Sequence, residues 1–416
     1  MSQSFNVFLS QAASTNVTVY YSMTGTATNG VDYTGLPGHV VVPAGSIGTV
    51  TVQPLYRANM GFDPLAVFTL VPTNGCVVDP SQASITVPIM DHFSSNIFCV
   101  VSTNDQVVDV DYFAPSNSLF LSLNYPYGSG GNFALLGANG SLTTWSGVSG
   151  LAEEVNMATV KVSTNGFTAD DAYFIAQLTG VIGWASASGK AFNTSWLTLP
   201  GETDPQETSD LYVDQTGLWG NDLLAVTSRS SKGQSDIWRI TAQTNATLVA
   251  SNLPCASMEG LLTLPNDPKY GPLAGKLLVG DEITNTLYTI ETNGVVQAWN
   301  FGVPGLGVAG QTFLIVPQTN QNFYCQDTIY PGSSYMRKLS GAFLASHAGD
   351  ILTVQCPELP PYYLSPPTIW LLRWNGTGFD TWCLTLSDFN DQPFNANPPF
   401  NLVEKGVFAP INIPVP

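Results

Sequence analysis

The sequence predicts an all-β protein, an N-terminal β-sandwich followed by a β-propeller, and three observations predict it. Gly (38) and Pro (29) punctuate the 416 residues at short intervals, with strand-favouring Thr and Val set between turn-forming Asn, Ser and Gly. No segment sustains a period of 3.6; the nearest, 151–162, contains Asn and Thr. Beyond about residue 96 a group of four short strands recurs with a period near 50, the rhythm of propeller blades.

Composition narrows the function. Charged residues make up 10% and hydrophobic residues 44%, which excludes a disordered chain. With 12 Lys+Arg against 30 Asp+Glu the formal charge is −18, so nucleic acid is not an expected partner. An anionic membrane surface is disfavoured for the same reason, and no run approaches the roughly 18 apolar residues of a membrane span. Few charges and much Asn, Thr and Ser suit a secreted or cell-surface protein. Met1 is followed directly by Ser-Gln-Ser-Phe, without the basic segment and apolar core of a signal peptide. The chain is therefore either cytosolic or a mature form, and the second is preferred because the first strand begins at once.

In the first region, 1–92, strands are expected at 4–9, 17–24, 39–42, 47–55, 66–71 and 83–89. Turns such as Thr28-Asn29-Gly30 and Val42-Pro43-Ala44-Gly45 separate them at the spacing of a sandwich. The second region, 93–416, carries the blades and a C-terminal extension. Two units are complete: 205–213, 222–227, 237–240 and 246–249, then 257–264, 275–279, 286–290 and 295–299. Looser copies are expected at 107–145 and 154–199. Three strands of a fifth blade fall in 311–340, and most of a sixth in 350–386. Six blades are expected, with seven as the alternative if 340–370 hides strands. Strand 97–101 is placed to complete the last blade and close the ring, which removes exposed edges.

Two resemblances follow from these residues. Val17–Thr24 and the run Gly25-Thr26-Ala27-Thr28-Asn29-Gly30-Val31-Asp32-Tyr33 resemble the Calx-beta signature, as do Val42-Pro43-Ala44-Gly45-Ser46 and Val87-Pro88-Ile89-Met90-Asp91. The resemblance implies an immunoglobulin-like sandwich, with Asp32 and Asp91 as candidate Ca²⁺ ligands. One acidic cluster of that family is replaced here by 56–63, which has a single Asp, whereas Ca²⁺ takes about six to eight oxygens. A structural copy of the domain is thus expected rather than a calcium sensor. The blade grammar, an opening Glu-Gly, a Leu-Leu-Val strand and an aromatic third strand, is similar to six-bladed propellers of the gluconolactonase and senescence marker protein superfamily. Many propellers share that pattern without sharing chemistry.

Candidate sites come from aligning the units. Glu154, Glu207, Glu259 and Gln311 recur at spacings of 53, 52 and 52 residues, just before each blade's first strand. First strands line a propeller's axis, so carboxylates gathered there suit a hard cation such as Ca²⁺, which offsets their repulsion. The alternative is that they cap strands or hydrogen-bond the next blade. Asp281, with Glu282, and Asp327 follow second strands and Asp350 precedes one; these are the catalytic candidates, with turn capping as the alternative. Of His39, His92 and His347, only His347 falls within the blades, and it has no evident partner in sequence.

The cysteines Cys76, Cys99, Cys255, Cys325, Cys356 and Cys383 form no CxxC pair. Buried free thiols are expected, and Cys99–Cys383 is the first choice if a bridge forms. No G-x-S-x-G, H-E-x-x-H, P-loop or dinucleotide motif is present. The nine Trp and sixteen Tyr serve either glycan stacking or packing between blades. Two functions remain: a calcium-stabilised surface binding or adhesive module for a glycan, protein or small molecule, or a metal-dependent hydrolase or lactonase at the channel mouth.

Overall fold

The computed structural model describes residues 3–55, 61–73, 75–89, 98–123, 130–151, 153–176, 180–202, 209–229, 233–255, 257–281, 286–299, 310–330, 333–355, 367–386 and 400–415. Asp91, His92, Glu207, Glu282 and Cys356 lie outside them. The chain divides into two compact units, one centred on Met1–Asn96 and one on Ile97–Asn300, Val308–Thr381 and Phe394–Pro416. Among the described residues no helix is long and apolar enough to cross a membrane.

The first unit is a sandwich of the six expected strands: β1 (Gln3–Val7), β2 (Val17–Gly25), β3 (His39–Val42), β4 (Gly48–Val52), β5 (Leu65–Val71) and β6 (Ser84–Pro88). β1 pairs with β4, and the second sheet runs β3-β2-β5-β6. Strand alternation sends Val7, Val19, Tyr21, Val42, Val50 and Phe68 into one core between the sheets. The Gly-Thr-Ala…Asp-Tyr run has a local cause. Gly25 sits at φ 103°, where a Cβ would strike the Leu65 carbonyl, and the Thr28 N–H donates to Asp32 Oδ2 at 2.6 Å. That turn delivers Tyr33 fully buried to a second core, against Val52, Val87 and Ile89. Asp32 thus closes this turn through its Oδ2.

The second unit is a six-bladed propeller. After β7 (Phe98–Asp105), blade one is β8 (Asp109–Phe113), β9 (Ser118–Ser122), β10 (Phe133–Leu136) and β11 (Leu142–Thr144). Blade two is β12 (Val155–Thr159), β13 (Ala172–Ala176), β14 (Val181–Ala185) and β15 (Phe192–Thr198). Blade three is β16 (Ser209–Val213), β17 (Leu223–Arg229), β18 (Gln234–Ile240) and β19 (Ala246–Leu253). Blade four is β20 (Met258–Thr263), β21 (Leu277–Asp281), β22 (Thr286–Ile290) and β23 (Val296–Trp299). Each is antiparallel in sequence order, and apolar faces pack between blades. Phe120, Phe133 and Trp145 of blade one meet Phe174 of blade two in this way.

The last two blades depart from the sequence expectation. β24 (Thr312–Ile315) is followed by a hairpin of β25 (Asn322–Tyr330) and β26 (Ser333–Leu339), then β27 (Ile351–Gln355), β28 (Thr368–Trp374) and β29 (Phe379–Thr385). Blade five is β24-β27-β28-β29, so the hairpin does not belong to it. β25 and β26 form the centre of blade six instead. β7 pairs with β26 on its outer side, while β30 (Phe400–Leu402) and β31 (Gly406–Ala409) pair with successive halves of β25 on its inner side. The first strands then neighbour one another as β8, β12, β16, β20, β24, β31 and back to β8. The ring closes with β7 from the start of the unit and β30 and β31 from its end, and 97–101 has the closing part expected of it.

Cys99 and Cys383 are not joined by a disulfide, and Cys76, Cys255 and Cys325 are likewise outside any disulfide. Cys99 pairs in register with Lys338 in blade six, whereas Cys383 lies in β29 of blade five. The expected bridge fails because similar apolar runs sit in different sheets.

Candidate functional site

The six first strands wall a cavity of about 530 Å³ along the propeller axis, a volume that suits a small ligand. Apolar side chains such as Leu211, Leu262 and Phe313 supply much of its wall. Its polar groups gather at the two ends of the strands.

At the N-terminal ends stands a ring whose register is set by hydrogen bonds between blades. Asp109 Oδ2 accepts the Met157 N–H at 2.7 Å, and Asp210 Oδ2 accepts the Gly260 N–H at 2.9 Å. Each Asp thus reaches one residue past the equivalent position of the following blade. Asp109, Asn156, Asp210 and Glu259 therefore occupy one register, with Gln311 just before β24 and Lys405 just before β31. All six are buried.

Lys405 is the centre of this ring. Its Nζ lies 3.0 Å from Asp210 Oδ2, 3.0 Å from Glu259 Oε2 and 3.1 Å from the Gln311 carbonyl oxygen. An ammonium has three hydrogens and no acceptor, so three partners saturate it. The charges of Asp210, Glu259 and Asp109 hold the Lys405 pKa well above its usual value against the cost of burial. Strand geometry positions it: between β30 and β31 the pairing to β25 breaks, and Gln326 Oε1 takes the Lys405 N–H at 2.8 Å. The residues do not fit a divalent ion at this place. Ca²⁺ needs about six to eight oxygens at 2.3–2.6 Å. Here an ammonium already stands between the two nearest carboxylates, while Asp109 and Asp210 also accept backbone N–H groups of Val110 and Leu211 at 2.7 Å.

Of the four expected axial ligands, the structure brings Glu259 and Gln311 to the axis. Glu154 is half-buried and precedes β12, whose contribution in the Glu259 register is Asn156; Glu207 lies outside the described residues. Asp109, Asn156, Asp210 and Lys405 were missed. The first three carry a legible signal, a polar residue within the opening apolar strand of each unit. Lys405 carries none.

The catalytic candidates are not gathered. Asp281 ends β21 fully buried, opposite Met258. Asp327 is paired with Arg337 Nε at 2.5 Å. Asp350 lies beyond the opposite end of β24, where its backbone carbonyl accepts the Val316 N–H. Arg373 grips it through Nε at 2.7 Å and Nη2 at 2.8 Å, and its Oδ2 lies 2.8 Å from His347 Nδ1. His347 does have a partner, which its position three residues earlier made available.

Toward the C-terminal ends of the first strands the channel offers ligand-facing chemistry. Lys161 Nζ meets Asp111 Oδ1 at 2.5 Å and Thr159 Oγ1 at 2.7 Å, and both charged side chains keep partial exposure. On blades three and four the Tyr212 hydroxyl lies 3.4 Å from Thr263 Oγ1, and Gln215, also in the cavity lining, is exposed.

Burial, opposed by Lys405 and reinforced by Asp210, pushes the Asp109 pKa from 3.8 to about 8. The folded chain thus holds a proton that the unfolded chain releases near pH 4, so it binds more protons between about pH 4 and 8. Stability should therefore fall as pH rises through that window. Asp109→Asn cannot titrate, and its thermal melts should show a shallower decline; an unchanged slope would exclude Asp109 as the source.

No family model matches the chain, and no curated protein matches it. Solved structures with some similarity include virginiamycin B lyase from Staphylococcus aureus, 12% identical, covering 71% of this chain and 78% of that one with a TM-score of 0.36. A streptogramin B lyase is 14% identical, covering 92% and 87% with a TM-score of 0.37. Regucalcin from Agrobacterium tumefaciens, described as a calcium-binding protein, is 11% identical, covering 67% and 71% with a TM-score of 0.34. Likeness at this level carries no argument about activity. What defines the class is the architecture itself, a six-bladed β-propeller accompanied by a β-sandwich.

Proposed function

We propose that the protein is a secreted or cell-surface binding module, with the propeller channel as its ligand site and the sandwich as a Calx-beta-like companion domain. The observation that carries this reading is the 530 Å³ cavity, walled by apolar side chains, with a few hydroxyls and the Lys161–Asp111 ion pair toward the C-terminal ends of the first strands. Hydroxyls beside apolar wall suit a neutral polar ligand such as a glycan terminus or small polyol. Calcium enters the proposal only at the sandwich, through Asp32 and Asp91, the positions the Calx-beta resemblance implies. The competing reading, a metal-dependent hydrolase or lactonase, calls for an open coordination position facing the cavity. At the axis the Lys405 ammonium stands between the Asp210 and Glu259 carboxylates, where such a metal would sit.

The test is a thermal-shift and calorimetric screen of the full chain against mono- and oligosaccharides, run beside a turnover screen with lactones, sugar acids and phosphate esters. A saccharide that raises Tm without being consumed is expected. Gln215→Trp, which narrows the channel from an exposed position, should weaken that binding about tenfold while leaving the unliganded Tm in place. Robust turnover of any substrate would overturn the reading, and so would a saccharide whose affinity ignores Gln215→Trp.

A further inference from the structure

We propose that the propeller axis is a cation site whose resident cation is the chain's own Lys405 ammonium, delivered by the C-terminal strand, so that the ring closes on a tethered charge and needs no divalent ion. This stands whether or not the channel takes a ligand.

Three observations carry it. The first is occupancy: all three ammonium hydrogens have oxygen partners at 3.0 to 3.1 Å, with the side chain 5% exposed. The second is reach. Asp210 belongs to blade three, Glu259 to blade four and Gln311 to blade five, so one side chain from blade six joins four of the six blades. The third is local design. The inner strand of blade six is interrupted at 403–405, and the interruption frees the Lys405 side chain for the axis. Gly406 follows, where any Cβ would strike the Phe323 ring, so the backbone resumes pairing at close quarters. Only 12 residues of 416 are Lys or Arg, which makes a buried lysine here a specific use of a scarce group.

The electrostatics require some cation. Carboxylates from adjacent blades, taken out of water and unpaired, would repel and would each bear a large desolvation cost. A free ion meets that need only at sufficient concentration. A lysine on the same chain meets it at any calcium level, once the C-terminal strand has docked.

The test uses the full chain. Lys405→Met keeps most of the side-chain volume and removes the charge; it should lower Tm at pH 7 by about 5–10 °C, the scale of a broken buried ion pair. Adding Asp210→Asn and Glu259→Gln removes the stranded carboxylates, so the triple variant should regain a substantial part of the loss. A triple variant that melts below Lys405→Met, or a Lys405→Met chain that melts like the unaltered protein, would overturn the proposal. Should Lys405→Met fail to fold, folded yield replaces Tm: recovery in the triple variant supports the proposal and no recovery overturns it. In an Asp32→Asn chain with Lys405 intact, chelator should leave Tm unchanged. A drop reversed by Ca²⁺ would show that a metal, not the lysine, neutralises the axis.

Discussion

A chain ending at residue 399 is expected to lose the native propeller altogether. The deleted segment supplies the whole inner edge of blade six, since β30 and β31 are the strands paired to β25 on that side. It also supplies Val407, Ala409, Ile411 and Ile413, all buried in the core shared with Leu119, Leu121 and Tyr324. The docking is specific: the Tyr324 hydroxyl donates to the Ile411 carbonyl at 2.9 Å and accepts the Ile413 N–H at 3.1 Å. Burying a Val or Ile side chain contributes roughly 1.5–3 kcal/mol, so Val407, Ile411 and Ile413 together approach about 5–9 kcal/mol. A typical domain's whole stability is about 5–15 kcal/mol. Deletion also removes Lys405, leaving Asp210 and Glu259 without their ammonium, and exposes the edge of β25 to other chains. Near-ultraviolet circular dichroism and limited proteolysis should report lost tertiary packing. A cooperative melt with a native-like spectrum would show that the ring does not depend on its last strand.

Arg229→Met is expected to lower stability by about 3–5 kcal/mol, because it breaks a buried ion pair from one side. Arg229 stands between Asp236 Oδ2 at 2.7 Å and Glu202 Oε2 at 3.5 Å, with only 10% of its side chain exposed. The two carboxylates are committed elsewhere as well. Glu202 Oε1 accepts from Thr227 at 2.8 Å and from the Trp238 indole at 3.3 Å, while Asp236 Oδ1 accepts the Asn252 N–H at 2.7 Å. Neither can turn away to water when the guanidinium goes. Adding Glu202→Gln should return part of the loss in a thermal melt. The exposed pair Lys269–Asp267, at 3.8 Å, is the control: breaking it should cost no more than about 1 kcal/mol. Equal effects at the two sites would mean that burial is not what makes the Arg229 cluster matter.

What was legible in the sequence was local. All six sandwich strands appear within three residues of expectation, because alternation and turn chemistry are written into neighbouring residues. Blades three and four were legible for the same reason, each being a continuous stretch with four strands in order. The axial carboxylates were half legible. Aligning acidic residues by charge found Glu259, but it paired it with Glu154 and Glu207, whereas strand register pairs it with Asn156 and Asp210. The segments between blades differ in length, so a fixed period slips by a few residues against the true register.

The sequence by itself therefore determined the all-β class, the sandwich, the propeller and a ring of carboxylates looking for a cation. Only the tertiary structure decided which strands share the last two blades and what the cation is. Blade six is assembled from 98–105, 322–339 and 400–409, segments whose sequence separation hides every pairing between them. Lys405 comes to the axis through that assembly. Its neighbours in sequence are Glu404 and Gly406, but its energetic partners are Asp210 and Glu259, brought within 3.0 Å by ring closure alone. Hydrogen bonding and charge act over a few ångströms in space, and in this protein those ångströms separate residues nearly two hundred positions apart.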